Sequence, residues 1–586
     1  MLNTTTPSNI SGLFKFACLS LLIPLCSATS VIQVNVPAAP SSQNVVYPNF
    51  LGISFELSFV NDYFGNDTST IPATVINYLS ALRLRTGAVP LRIRIGGNSM
   101  DSSVYVSTQT SPMVQHIQGA LNANDQSVNY GPVLWDVLNK IAGEVGGANY
   151  LIGLSLLDPN NPNVPVEAAA VQETLGNNLD GFLLGNEPDL YTSHGDRPNI
   201  QNYTTDNYID DFRTAASHLT NTSAGDILAR PLLGGPTICC AWNLDALLTG
   251  GYSTAFDDVL KYISLQHYPQ NNCFGSYQYE IPYYVQHPNV VNLSAWEQPG
   301  IDIVNANTSS RRPQLIMTEF NSASCGGIPG ISNTFAVGSL WTVDYALQLA
   351  SVGYSAAYIH TREQGISYNL FDPSPGSWTT NPPYYALLAV AEALQSKNGS
   401  KVVDLDIMGS RTDLNATVSG YAVYDAIDSS VQQFVLFNYY NATSTSAPSA
   451  SFSLPSSSFK SGSSNAITVK YLTAVSMAET MNISCGGQTL RGVGDGKLVK
   501  AADSWAAANV QIDCTKGCTV NVPAPGMAVV FAGAAPVQNN ATNTNTTTGA
   551  AKPSSDATST VLALSIVPMA KSLVPLCAAA LSFFFI

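Results

Sequence analysis

Charged side chains are scarce in this sequence: Asp, Glu, Lys and Arg make up 11% of its 586 residues, and the formal net charge is −15. No run of Lys or Arg occurs. Without a basic stripe a long polyanion finds no electrostatic footing, so nucleic acid is not an expected partner and a neutral or modest-sized ligand fits better. The cysteines are too widely spaced for a zinc framework, and no internal repeat is evident. The apolar run after Lys571 is about fifteen residues, short of the roughly 20 that a spanning helix needs, and no basic flank follows it.

What is present is apolar mass. Hydrophobic residues are 45% of the chain, enough for two or three domains with a large core. Lys15, the run FACLSLLIPLC and the small-residue stretch SATS predict a secretory signal over residues 1–29. The polar stretch NNATNTNTTTGAAKPSSDATS predicts a linker over 536–560. The apolar residues 561–586 after it have the form of a glycolipid (GPI) anchor signal that is removed. The expected product is a secreted protein held at the cell surface or cell wall, meeting the membrane only through that anchor. Sequons at Asn66, Asn202, Asn292, Asn415 and Asn482 suit a glycosylated surface.

Removing both ends leaves Cys239, Cys240, Cys273, Cys325, Cys485, Cys514 and Cys518. The number is odd, so at least one stays free or pairs outside the chain. Structural bridges are expected, one of them joining Cys485 to Cys514 or Cys518, although spacing alone leaves the pairing open.

Eight β-rich runs punctuate the first two thirds of the chain: GISFEL (52–57), LRIRIGG (91–97), YLIGLSLL (150–157), FLLGNEP (182–188), LLGGPT (232–237), ISLQHY (263–268), LIMTEF (315–320) and AAYIH (356–360). Helical patterns such as VLWDVLNKIAGEV and NTFAVGSLWTVDYALQLASVG separate them. Eight alternating βα units predict an α/β fold, a (β/α)8 TIM barrel over 49–395, with a doubly wound open sheet as the alternative. Residues 396–535 turn rich in Ser, Thr and Val and predict a C-terminal antiparallel β-sandwich, to which SVIQVNVP, within 30–48, adds a strand.

A barrel of this kind gathers its strand-end residues round one mouth: Glu56, Asn98, Asn186, Glu187, His267, Tyr268, Glu319 and His360. Glu187 and Glu319 end the fourth and seventh strands and so face each other. Cleaving a glycosidic bond takes two carboxyl groups, one protonated to help the oxygen leave and one ionised on the opposite face of the sugar. Taken singly, each acid also reads as a helix cap or a surface charge. Arg94 either points inward to steady a carboxylate or forms a surface ion pair.

The motifs GNEPD and MTEFNS resemble those of the retaining (β/α)8 glycosidases of clan A. The further set GISFE, RIGGNSMD, QHYP, SASCGGIPGISNTFAVGSLW and SYNLFDPSPGSW is similar to glycoside hydrolase family 79, the β-glucuronidases and heparanases. The resemblance implies Glu187 as acid/base, Glu319 as nucleophile and Asn186 as the amide on the sugar 2-hydroxyl. It implies Tyr268 as hydrogen-bond donor to the nucleophile, and Gly326 and Gly327 as backbone donors to a uronic carboxylate. Tyr368, Glu56 and Asn98 become substrate contacts, and His360 a further candidate. Cys325 stands where the heparanase pattern has another glycine, which leaves the loop's shape open. The implied activity is removal of terminal β-glucuronic acid, with or without a 4-O-methyl group, from a glycan or small glucuronide, without metal or organic cofactor. Heparanase-like endo-cleavage, another clan A β-glycosidase activity and a non-catalytic carbohydrate-binding protein are the alternatives. A polysulfated chain would ask for a basic cleft that the acidic composition does not supply.

Overall fold

A computed structural model describes residues 31–117, 126–309, 311–374, 376–441, 448–459, 466–502 and 506–532. The expected signal peptide, linker and anchor signal lie outside these residues. Among the described residues no helix is long and apolar enough to cross a membrane.

Eight parallel strands close into a barrel: β1 Leu51–Glu56, β2 Leu91–Gly96, β3 Ala148–Leu154, β4 Leu179–Leu184, β5 Leu233–Ile238, β6 Leu260–His267, β7 Gln314–Phe320 and β8 Ala356–Thr361. Their composition explains their place. Parallel strands covered by helices are buried on both faces and read as continuous apolar runs; β1, β4, β5 and β8 are buried at every residue. Closure is made by β8 on β1, with Ala357 beside Leu51 and Thr361 beside Phe55. That pairing rules out the open sheet, which would leave both strands as edges. The periodic segment VLWDVLNKIAGEV is the helix Val133–Val145, packing Leu134, Trp135, Leu138 and Ile141 inward and ending on Gly146 at φ 81°, a position where glycine avoids the Cβ penalty.

One irregularity matters for the site. Leu265 of β6 pairs with Met317 of β7, but the next residue, Gln266, pairs with Glu319. The extra residue, Thr318, is a bulge of the kind that re-aims side chains near functional sites.

The C-terminal region forms two sheets, antiparallel apart from one short strand. The larger, nine-stranded sheet is built on β9 Ser400–Asp404, β10 Val418–Asp425, β11 Val431–Asn438, β13 Ala466–Ala474, β14 Ile483–Cys485 and β19 Gly526–Phe531, with β15 Gln488–Thr489, β16 Val499–Lys500 and β17 Val510–Asp513 at one side. The smaller sheet joins β12 Ala450–Leu454, β18 Cys518–Val522 and the short strand Ile32–Gln33, which runs parallel to β12. Strand periodicity sorts the side chains. Ala422, Tyr424, Phe434, Leu436, Ala528 and Val530 face the small sheet and form the sandwich core. Their neighbours Tyr421, Val423, Val435, Phe437, Val529 and Phe531 join the barrel core instead.

A polar cluster is buried where barrel and sandwich meet. Asp344 accepts from Tyr421 Oη at 2.6 Å and Tyr439 Oη at 2.7 Å. His287 lies between two carboxylates, 2.9 Å from Asp344 and 3.1 Å from Asp404. Burial works against a charged imidazole, but the two carboxylates outweigh it and lift His287 from its ordinary 6.5 to about 10.

Among the described residues the disulfides are Cys273–Cys325 and Cys514–Cys518. The bridge expected from Cys485 to Cys514 or Cys518 does not form. Cys485 is free and packs in the barrel core, whereas Cys514 packs in the sandwich core, so the large sheet separates them. Asn66, Asn202, Asn292 and Asn415 are exposed and Asn482 is half-buried.

Candidate active site

The C-terminal ends of the barrel strands enclose a cavity of about 660 Å3, within the range of pockets that bury small ligands. Glu56, Asn98, Asn186, Glu187, Tyr268, Glu319, His360 and Tyr368 all line it. The structure thus brings together every expected site residue except Gly326 and Gly327. Those two are buried and not in the wall, which at this loop consists of Ser324 and Cys325. Cys325 itself takes a positive φ of 58° and is bridged to Cys273 of the β6 loop, so the disulfide, not a third glycine, shapes the turn.

Glu319 is held on all sides. Arg94, fully buried, reaches its Oε2 at 2.5 Å, Tyr268 Oη donates to its Oε1 at 2.8 Å, and His360 Nδ1 is 3.7 Å from Oε2. Burial alone would raise this acid, but His360, Arg94 and the Tyr268 hydroxyl hold its carboxyl below the ordinary carboxylate value. Arg94 therefore points inward, and the surface ion pair weighed for it is not formed. Its other nitrogen donates to Asn186 Oδ1 at 2.8 Å, and Asn186 Nδ2 donates to Asn98 Oδ1 at 2.8 Å.

Glu187 has the opposite environment. It is half-buried at the cavity wall with φ 48°, and its side chain makes no capping bond to the short helix Pro188–Leu190 that follows. The helix-cap reading therefore fails, and a left-handed non-glycine residue is the kind of strain found at functional sites. Burial, then the nearby charges of Glu319 and Asp189, push the Glu187 carboxyl well above its ordinary value, with Arg94 pulling the other way. Two acids facing one cavity with affinities driven apart suit one proton donor and one nucleophile.

Three residues that motif reading did not single out fix this arrangement. Asp101, in RIGGNSMD, accepts from the Asn186 and Leu156 amides at 2.8 and 2.9 Å and from Tyr191 Oη at 2.7 Å, tying the ends of β3 and β4 together. Desolvation lifts it to about 7 against those bonds. Asp189 accepts from the Cys240 and Ala241 amides at 2.9 and 2.7 Å and ties β4 to β5. Its carboxylate oxygen and the sulfurs of Cys239 and Cys240 lie within 4.8 Å of one another, but that oxygen is already committed to backbone donors. Arg362, 5% exposed, lines the wall just past β8. The only sequence signal for the two aspartates was their place beside the strand-end motifs.

Glu56 is oriented by the Ser99 amide at 2.9 Å and by His360 Nε2 at 3.4 Å. Gly97 lies beneath it: a Cβ there would sit 2.1 Å from Glu56 Oε2, at a φ of 84°. His267 also faces the cavity, stacked on Trp296 with ring centroids 4.2 Å apart, and burial lowers it to about 4.

A closed (β/α)8 barrel with two such acids at facing strand ends defines the class as a glycoside hydrolase. The pattern of the glycosyl hydrolase family 79 C-terminal beta domain matches residues 420–529. A β-glucuronidase of Neurospora crassa is 26% identical over 482 residues, spanning 77% of this chain and 81% of that protein. The chain is thus similar to glycoside hydrolase family 79 in its C-terminal β domain and to a β-glucuronidase over most of its length. Among solved structures, a 4-O-α-L-rhamnosyl-β-D-glucuronidase from Fusarium oxysporum 12S superposes with a TM-score of 0.67 at 22% identity, over 85% of this chain and all of that one. A family 51 arabinofuranosidase from Xanthomonas axonopodis pv. citri gives 0.56 at 15% identity, over 85% and 98%. Both likenesses are of fold.

Proposed function

We propose that this protein is a retaining exo-β-glucuronidase. The observation that carries the reading is the opposed environment of the two acids: Glu319 gripped by Arg94 and Tyr268, and Glu187 raised by burial and by Glu319. In the first half-reaction Glu319 attacks the anomeric carbon while Glu187 gives its proton to the departing oxygen. In the second, Glu187 takes a proton from water, whose oxygen displaces Glu319. Retention by this route asks for carboxyl groups about 5 to 5.5 Å apart.

The choice of glucuronic acid is supported by the Neurospora relative and by a cationic group, Arg362, in the cavity wall next to Tyr368. The cavity, at about 660 Å3, is larger than one pyranose ring needs, which supports tolerance of a 4-O substituent. Release of p-nitrophenol from the β-glucuronide, compared with the β-glucoside, β-xyloside and β-galactoside, tests the glycone. Preference for a neutral glycoside would overturn it.

We also propose that the protein works outside the cell, tethered by a glycolipid. The segment compositions at both ends support this, as do two disulfides. Release from intact cells by phosphatidylinositol-specific phospholipase C is the expected result; retention after treatment would contradict it.

A further inference from the structure

The strand-end sequence QHYP carries a glutamine that the two-acid mechanism leaves without a task. Gln266 is fully buried at the end of β6, and the β7 bulge sets it opposite Glu319. Its amide spans two residues at the end of β4. One amide atom lies 3.0 Å from Glu187 Oε1 and the other 2.9 Å from Asn186 Oδ1.

Asn186 decides which atom is which. Its Oδ1 faces Arg94 Nη2 at 2.8 Å, and a guanidinium only donates, so Oδ1 is an acceptor. Turning the Gln266 nitrogen to Glu187 suits an ionised carboxylate and offers the oxygen to Arg94 Nη2 at 3.3 Å, but it sets that oxygen 2.9 Å from Asn186 Oδ1, acceptor against acceptor at the shorter distance. With the nitrogen on Asn186, the oxygen faces Glu187, and that contact is a hydrogen bond when Glu187 carries a proton. A single proton on Glu187 therefore satisfies the hydrogen bonds running from Arg94 through Asn186 and Gln266, leaving as the one like pair the Gln266 nitrogen 3.3 Å from Arg94 Nη2, whose proton is directed to Asn186 at 2.8 Å. An ionised Glu187 leaves an unmatched acceptor pair in either orientation.

We propose that Gln266 is a positioning residue that keeps Glu187 protonated in the resting site, its carboxamide oxygen accepting the acid's proton while Asn186 fixes its nitrogen. The proposal rests on Glu187 being the acid/base. Other groups facing Glu187 act through charge: Glu319 from β7, Asp189 from the same loop and Cys240 from the β5 loop oppose ionisation, and Arg94 from β2 favours it. The amide acts at contact, on the protonated form alone. In turnover the proton passes from Glu187 to the leaving oxygen, and water returns one to Glu187 in the second half-reaction.

The test is a carbon-13 NMR titration of the Glu187 carboxyl in the substrate-free full chain, assigned with Glu187→Gln, together with the pH profile of kcat/KM. In Gln266→Leu and Gln266→Met the Glu187 midpoint and the alkaline limb should both move to lower pH, by about 3- to 10-fold in proton affinity, the worth of one hydrogen bond. A move to higher pH would show the nitrogen facing an ionised acid; no move would show that the amide does not govern it. Either result overturns the proposal. Should both variants fail to fold, the infrared difference between wild type and Glu187→Gln at neutral pH must still show a protonated carboxyl band, and its absence also overturns it. The NMR and infrared measurements use no substrate, so a chain that ignored every glucuronide would overturn the function without touching this result.

Discussion

Arg94 and Glu319 lie 2.5 Å apart across the barrel mouth, Nη1 to Oε2, with the guanidinium entirely buried and its second nitrogen on Asn186. One planar fork thus aligns the carboxylate at the end of β7 with the amide that precedes the acid of β4.

Lysine keeps the charge at that position but has no fork. Arg94→Lys should fold and lose about 10²-fold or more in kcat, comparable to deleting one preorganised donor. Arg94→Met leaves Glu319 buried without its partner and should cost about 3–5 kcal/mol in stability, read by chemical denaturation. Wild-type turnover in Arg94→Lys would show that charge alone suffices.

Tyr268 Oη donates to Glu319 at 2.8 Å and is one of the groups holding that acid down. Tyr268→Phe removes a bond that favours the ionised form, so the Glu319 affinity for protons rises. The acidic limb of kcat/KM should move to higher pH, with activity at neutral pH falling about 10- to 100-fold, the worth of a hydrogen bond to a charged group. An unmoved limb would assign the tyrosine to packing.

Gly97→Ala forces a methyl group onto Glu56, 2.1 Å from its Oε2. Gly146→Ala has a similar φ of 81° with nothing within 4 Å, so it costs only the left-handed backbone penalty of about 1–2 kcal/mol. Both should lose stability, but only Gly97→Ala should raise KM. Equal effects on KM would remove Glu56 from the substrate site.

His287 is lifted to about 10 between Asp344 and Asp404. A histidine raised in the folded state contributes its full stability below the unfolded value near 6.5 and loses it as pH climbs through about 10. Wild-type melting temperature should therefore decline between pH 6.5 and 10 more than that of His287→Gln. Parallel curves would mean that the imidazole stays neutral.

Some of this was legible in the sequence. The eight barrel strands announced themselves because strands buried on both faces read as mostly apolar runs, and the acids at 187 and 319 stood out at the ends of such runs. The cysteine pairing was not legible: Cys485 lies close to Cys514 in sequence, yet alternation along the sheet puts them on opposite faces. Gln266, Asp101 and Asp189 escaped notice because each acts across strands, through a register that only the bulge in β7 and the closed barrel establish. Gly326 and Gly327 showed the reverse, a loop legible as a motif whose wall the Cys273–Cys325 bridge hands to Ser324 and Cys325.

The proposed reaction makes Glu319 the nucleophile and Glu187 the acid/base of a retaining mechanism. Incubation with 2-deoxy-2-fluoro-β-D-glucuronyl fluoride, followed by peptide mass mapping, tests it most directly. One covalent label is expected, on Glu319, formed with loss of activity and absent from Glu319→Gln. A label on another residue, or inactivation with no label while the β-glucuronide is still a substrate of the untreated protein, would contradict it.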